Sequence, residues 1–186
     1  KEKKRNGQVF FIHNRIEGIE KIASRLSAIA PGVEIGVAHG RMRPRELEDV
    51  MDRFIKGNID VLVCTVIIQS GIDIPNANTL IVNRADMFGL ADLYQLKGRV
   101  GRFINKAYAY FLIPKGSIIS SESERRLRAI EQYSDLGSGF KIAMEDLEIR
   151  GAGNILGSQQ HGYISAVGFD LYCRMLREAV NYIKPS

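Results

Sequence analysis

The sequence predicts an α/β fold: a parallel sheet with flanking helices, followed by a helical appendage. Three observations predict it. Short apolar runs of strand type alternate with amphipathic helical stretches from Gln8 to about Pro114, the pattern of β–α–β units joined by right-handed crossovers. One of those runs, Asp60-Val-Leu-Val-Cys64, is apolar on both faces, as a central parallel strand must be. Beyond Pro114 the strand-type runs stop and helical periodicity remains.

Each element has a local reason. Residues 1–7 read as a leader or linker stub, and Gln8-Val-Phe-Phe-Ile-His13 as the first strand. Asn14 is the candidate cap of the next helix. Its apolar face is Ile16, Ile19, Ala23, Leu26 and Ile29/Ala30, and Pro31-Gly32 ends it. Val33 to Ala38 is the second strand. His39-Gly-Arg-Met42 leads to Pro44, which suits a first helical turn. Leu47, Val50, Met51 and Phe54 form that helix's stripe, and Gly57-Asn58 closes it. After the third strand, Thr65 to Pro75 is a polar, glycine-containing turn. Thr79 to Asn83 is the fourth strand. A helix from about Gly89 is expected to run through Arg102, and Ala107 to Ile113 forms the fifth strand.

The appendage reads as helices Glu122–Tyr133 and Phe140–Ile149, a Gly/Gln/Ser-rich loop over 151–162, and a last helix from about Gly168 to Ile183. The expected division is a sheet domain over 8–116 and a helical part over 117–186.

Composition excludes several classes. The chain has 186 residues, 45% hydrophobic and 25% charged, ordinary for a globular protein. No apolar run approaches the roughly 20 residues that span a bilayer. The charged start Lys1-Glu-Lys-Lys-Arg5 lacks the pattern of a secretory leader. A first residue other than Met suggests a piece of a longer protein. The net charge of +5 suits a polyanion partner. Cys64 and Cys173 sit in apolar stretches and read as reduced thiols in the cytoplasm, not as a disulfide or metal set. His13, His39 and His161 are too scattered to share a metal.

In an open parallel sheet, ligands bind beyond the carboxyl ends of the strands. Asn14-Arg15, His39-Gly40-Arg41, Thr65 to Asp73, Arg84-Ala-Asp86 and Pro114-Lys115 all follow strands and would gather there. Gln95-Leu-Lys-Gly-Arg-Val-Gly-Arg102 carries the most chemistry. Arg99 and Arg102 offer planar forks of donors that fit phosphate. On one helical face they suit a polyphosphate whose charge redistributes as a bond breaks. Gly98 and Gly101 each weaken a helix by about 1 kcal/mol relative to alanine, so close backbone approach is the expected reason for them. In Thr65 to Pro75, hydroxyls and free N–H groups around Ser70-Gly71 are able to hold phosphate. Asp73 either receives a ribose hydroxyl, orients an arginine, or closes an Asx turn. His39 is placed to bond a phosphate. No G-x-x-x-x-G-K-[ST] occurs in the chain. Arginines aimed at a triphosphate without that loop imply that another domain holds the nucleotide.

Gln95-x-x-Gly98-Arg99-x-Gly101-Arg102 resembles the sixth motif of superfamily 2 helicases and translocases, and Thr65 through Asp73 resembles their fifth. The element order over residues 8 to 114 is similar to their second RecA-like motor domain. Asp135 to Met144, Asp146 to Gly157 and Gln160-His161-Gly162 resemble the TRG motif, shared by RecG helicases and the bacterial transcription-repair coupling factors of the Mfd type. The Ile149-Arg-Gly-Ala-Gly153 run and Val167 to Tyr172 are closer to the coupling factors, since RecG tends to have proline after that Arg-Gly.

The resemblance implies an ATP-driven translocase on double-stranded DNA that displaces stalled RNA polymerase and recruits excision repair. ATP with Mg2+ would be held mainly by a first motor domain, so the isolated fragment is expected to be inactive. Arg99 and Arg102 match the finger arginines and Gln95 the motif's glutamine. Gly71 and Asp73 match nucleotide-proximal positions. His39, Gly40, Thr65 and Ser70 match segments facing DNA phosphates. Arg126, Arg150, Gln160 and His161 fall in the part expected to couple ATP turnover to movement.

Lys97, Phe103, Val66, Gln69, Asn83 and Met87 depart from the expected pattern, and Gln69 removes a carboxylate near the fingers. Two other readings stand beside this one. One is a RecG-type fork-remodelling helicase. The other is a non-catalytic α/β interaction module.

Overall fold

The computed structural model describes residues 2, 5, 7–66, 74, 76–101, 106–133 and 137–150. The chain order is β1 (Gln8–His13), α1 (Ile19–Ile29), β2 (Ile35–Ala38), α2 (Pro44–Ile55), β3 (Val61–Cys64), β4 (Ala77–Asn83), a 3-10 turn (Ala85–Met87), α3 (Leu90–Lys97), β5 (Tyr108–Leu112), α4 (Ser121–Gln132) and α5 (Gly139–Arg150). The strands form one sheet in the order β2-β3-β1-β4-β5. Every described pairing is parallel. The fold is a parallel sheet flanked by helices, as the alternation of runs implies, in the RecA-like arrangement that the motif resemblance implies.

Because strand side chains alternate between faces, β1 divides its aromatics between two cores. Phe11 packs with Ile19 and Ala23 of α1 and with Val63 of β3. On the other face the Phe10 ring lies 5.1 Å from that of Phe54 in α2. Helices α1 and α2 therefore cover opposite faces. The central strand β3 is apolar on both sides for this reason, with Leu62, Val63 and Cys64 all fully buried. In α3 the buried positions are Leu90, Leu93 and Leu96, the three-residue spacing of a helix stripe.

Two sequence expectations need correction. Asn14 does not cap α1. The helix starts only at Ile19, behind Gly18 at φ 84°, because residues 16–18 first close a turn in which Ile19 N–H donates to Ile16 C=O at 3.2 Å. Helix α3 does not run through Arg102. It stops at Lys97 with Gly98 as its C-cap, so Arg99 lies in the turn beyond the helix. Gly101 follows at φ +80°, a left-handed conformation that favours glycine.

Gln8 does more than begin a strand. Buried at the sheet's amino edge, its Nε2 donates to Phe54 C=O at 2.6 Å and Ile59 C=O at 2.7 Å. At the end of α2 the Phe54 carbonyl thus takes a second donor beside the Gly57 N–H at 3.0 Å.

The chain divides into two compact units, one ending at Ser123 and one starting at Glu124. In the second, Arg125 of α4 faces Glu145 of α5 at 3.7 Å, and the buried positions of α5 are Ile142 and Ile149. The last predicted helix and Cys173 lie outside the described residues.

Candidate functional site

The sheet gathers the polar segments because all its strands point the same way. In register, Ile12 pairs with Cys64, Ala38 with Cys64, His13 with Asn83, and Asn83 with Leu112. The residues that follow these strand ends, Asn14, His39, Thr65 and Arg84, therefore share one edge. Thr65 is fixed there by its N–H, which donates to Ala38 C=O at 3.2 Å.

His39 organises its own loop. Its Nδ1 accepts the Arg41 N–H at 3.3 Å, and its backbone C=O accepts the Met42 N–H at 3.1 Å. With Nδ1 accepting, the neutral ring carries its proton on Nε2, a donor suited to an anion. Gly40 beside it is exposed. Arg41, expected at this edge, is joined by Arg43 and Arg45, which the sequence expectation did not include: all three are exposed, and their guanidinium groups form no ion pair among the described residues. Their spacing around Pro44 was the available signal. Arg43 also starts α2, with its N–H on Glu46 Oε2 at 3.3 Å.

At the neighbouring strand ends, His13 Nδ1 and Asn83 Nδ2 are 3.2 Å apart. The amide donates, so His13 is neutral in this contact. Burial, with Arg15 adding a smaller contribution, lowers the His13 pKa against an opposing hydrogen bond involving Glu17. Immediately after β4, Arg84 adopts φ 57° and ψ 52°. It is the one described non-glycine residue with positive φ. Its guanidinium grips Asp86 side-on, with Nε 3.0 Å from Oδ1 and Nη2 2.8 Å from Oδ2. The Arg84 hydrogen bond holds the Asp86 carboxyl below its usual range.

Of the remaining candidates, Gln95 is exposed on the last turn of α3 and Arg99 is half-buried in the turn after it. Arg126 is half-buried on α4, in the second unit. Arg150 ends α5, where its Nε meets Asp146 Oδ2 at 2.8 Å. Ser70, Gly71, Asp73, Arg102, Gln160 and His161 lie outside the described residues, as do Gln69 and Phe103. The structure thus brings His39, Gly40 and Thr65 to one edge, with His13 and Arg84 alongside.

A profile of the helicase conserved C-terminal domain matches residues 2–104. The chain belongs to the helicase conserved C-terminal domain family. The chain is 55% identical over 181 residues to the transcription-repair-coupling factor of Staphylococcus haemolyticus, covering 97% of the chain and 16% of that protein. It is 54% identical, with the same coverage, to the factor of Staphylococcus aureus strain USA300. The chain thus spans about a sixth of the length of these relatives. Among solved structures it resembles RecG bound to a three-way DNA junction, with TM-score 0.71 and 34% identity over 95% of this chain and 22% of that one. The C-terminal domain of the DEAD-box protein Dbp5 shares the fold, with TM-score 0.54 and 22% identity over 77% of this chain and 82% of that one.

Proposed function

We propose that the chain is the second motor domain of an ATP-driven double-stranded DNA translocase of the transcription-repair-coupling type. In the full-length protein it would act in the cytoplasm to displace stalled RNA polymerase and bring in excision repair. The observation that carries this is the 55% identity to a coupling factor over 97% of the chain. The RecG likeness is weaker, at 34%. That likeness keeps fork remodelling as the second reading. The two are separated by asking whether the full-length protein releases a stalled polymerase or regresses a fork.

The chemistry assigned to this domain is electrostatic. Arg99 and Arg102 would approach the phosphates of ATP from the side, with Gln95 ordering the contact and Gly71 and Asp73 nearer the sugar and phosphates. Guanidinium groups held in a closed, water-poor cleft stabilise the charge of a transferring phosphoryl group. Among the described residues, no three His, Cys, Asp or Glu side chains are grouped to share a metal ion. We assign ATP and its Mg2+ mainly to a first motor domain, because this chain carries no G-x-x-x-x-G-K-[ST] loop to cradle the phosphates. What the bound nucleotide supplies is the triphosphate and its leaving group; what this chain supplies is positive charge on closure.

On the strand-end edge, His39 Nε2–H, Gly40 and Thr65 would meet DNA phosphates, with Arg41, Arg43 and Arg45 beside them, and Ser70 is assigned the same role. Such contacts position the duplex without reading its sequence. Arg126, Arg150, Gln160 and His161 would pass the state of the cleft to the DNA.

Replacing Arg102 by alanine in the full-length protein tests the assignment. Loss of a finger arginine in other phosphoryl-transfer enzymes costs about 10³–10⁵ in turnover, so DNA-stimulated ATPase should collapse while ATP still binds. Wild-type turnover by Arg102→Ala would show that the finger has been misassigned.

A further inference from the structure

The turn between β4 and α3 carries an ion pair that neither the nucleotide site nor the DNA edge uses. We propose that Arg84 is a positioning residue, which aims the end of α3, and with it Gln95 and Arg99, by clamping Asp86. The proposal rests on the motor-domain reading and adds to it the part that sets the geometry of the fingers.

The argument begins with the backbone. Arg84 sits at φ 57°, a region an L-residue with a long side chain occupies only when its surroundings hold it there. A glycine or asparagine would sit there more readily, so the arginine side chain is what the position requires. One edge of that guanidinium engages Asp86, while the Arg84 side chain remains 41% exposed. Nε reaches Oδ1 at 3.0 Å and Oδ2 at 3.2 Å, and Nη2 reaches Oδ2 at 2.8 Å. The Asp86 side chain is only 7% exposed. A carboxylate so enclosed requires a partner, so the fork is fixed.

The far side of the turn is fixed as well. Asp86 C=O accepts the Ser123 hydroxyl at 3.0 Å in a buried contact. Ser123 is held in turn by Ser120, whose Oγ lies 3.0 Å from the Ser123 hydroxyl and accepts the Ser123 N–H at 3.2 Å. Asp86 is thus anchored through its carboxylate to the end of β4 and through its carbonyl to the first turn of α4. From this anchored point the chain passes through Phe88, 5% exposed, into α3 at Leu90. Gln95 and Arg99 lie one and two turns further on, where a small change of helix direction becomes a displacement of the guanidinium.

The clamp touches neither phosphate nor DNA in this account, so its loss should change rate and not affinity. The test compares wild type, Arg84→Gly and Arg84→Lys in the full-length protein. Glycine removes the fork while tolerating the backbone conformation. Lysine retains one charge. We expect Arg84→Gly to lower the kcat of DNA-stimulated ATPase about tenfold to a hundredfold, the cost of misplacing a catalytic group by about an ångström. KM for ATP and duplex affinity should stay near wild type, Tm should fall because the enclosed Asp86 carboxylate loses its partner, and Arg84→Lys should recover part of the rate. An unchanged kcat overturns the proposal. So does a joint loss of kcat, DNA affinity and Tm, which would make the pair a simple fold stabiliser. Asp86→Asn gives a second measurement if the glycine variant fails to fold: the same split supports the clamp, and an unaltered kcat removes it. If wild type shows no DNA-stimulated ATPase at all, the motor-domain reading itself fails, which is a different result from any variant effect.

Discussion

His13 shows how one side chain at the strand-end edge ties stability to pH. Burial lowers its folded pKa below the ordinary histidine value near 6.5. The unfolded chain therefore binds the proton more readily. Its contribution to stability is complete above pH 6.5 and is lost as pH falls through the folded pKa. The Asp86 carboxyl acts in the same direction in a lower window, below the usual carboxylate range, because Arg84 lowers its pKa. The expected outcome is that the Tm of His13→Gln depends less on pH between about 7 and 5 than that of wild type. Parallel Tm profiles would sink the attribution. At this scale the sequence revealed which residues share the strand-end edge better than it revealed backbone conformation. His39, Gly40 and Thr65 were recognisable because each follows a strand-type run. The clamp was not, since residues 84–86 signal only a polar turn, and an ion pair across one residue depends on the φ of Arg84. Gly101 is a similar case. Its need for positive φ was invisible while Gln95–Arg102 was read as continuous helix. Alanine there should cost about 1–2 kcal/mol of strain, with a Cβ only 3.1 Å from that of Ala107. Thermal unfolding of Gly101→Ala measures it.

The elements were legible wherever a hydrophobic period met a stop signal. Helix α2 begins with Pro44 and ends before Gly57 at φ +80°, and both residues announce those ends in the sequence. Helix α1 misled because Asn14 is a good cap in the wrong place; the chain spends Ile16 to Gly18 on a turn before the helix direction is set. The end of α3 was missed for a related reason. Arginine and leucine favour helix on both sides of Gly98, and only the left-handed Gly101 shows that the chain has turned. The packing of α2 gives a prediction of its own. Phe54 is fully buried against Phe10, and its C=O is held by Gln8. Phe54→Ala should destabilise the chain by about 3–5 kcal/mol through lost burial and a residual cavity. Gln8→Leu should cost less, about 1–3 kcal/mol, by taking the side-chain donor from the Ile59 carbonyl, while Phe54 C=O keeps the Gly57 N–H. Urea unfolding of the two variants ranks them, and the reverse order would contradict this account of the core.

For the whole molecule, the parallel order β2-β3-β1-β4-β5 is what makes the sequence reading of function possible. It forces the strand ends to a common edge, so residues far apart in the chain meet without any sequence signal of proximity. In the proposed reading the chain depends on a partner domain for its nucleotide. As an isolated polypeptide it should show no ATP turnover above background, because it has no phosphate-binding loop. Clear hydrolysis by the pure chain would refute the two-domain account. Binding of duplex DNA by the full-length protein should fall steeply with salt, and Arg43→Ala should reduce the salt slope by about one counterion.

Cys64 ends β3 immediately before Thr65, fully buried, and burial drives its thiol pKa up. A thiol without access or thiolate character is inert to alkylation, so its rate of modification becomes a clock for the opening of the sheet. With Cys173 replaced by serine, a maleimide pulse on the full-length protein would time how often the central strand exposes its carboxyl end. Comparing nucleotide-free and ATP-analogue-bound protein would then show whether the proposed nucleotide binding stiffens the strand that leads into Thr65.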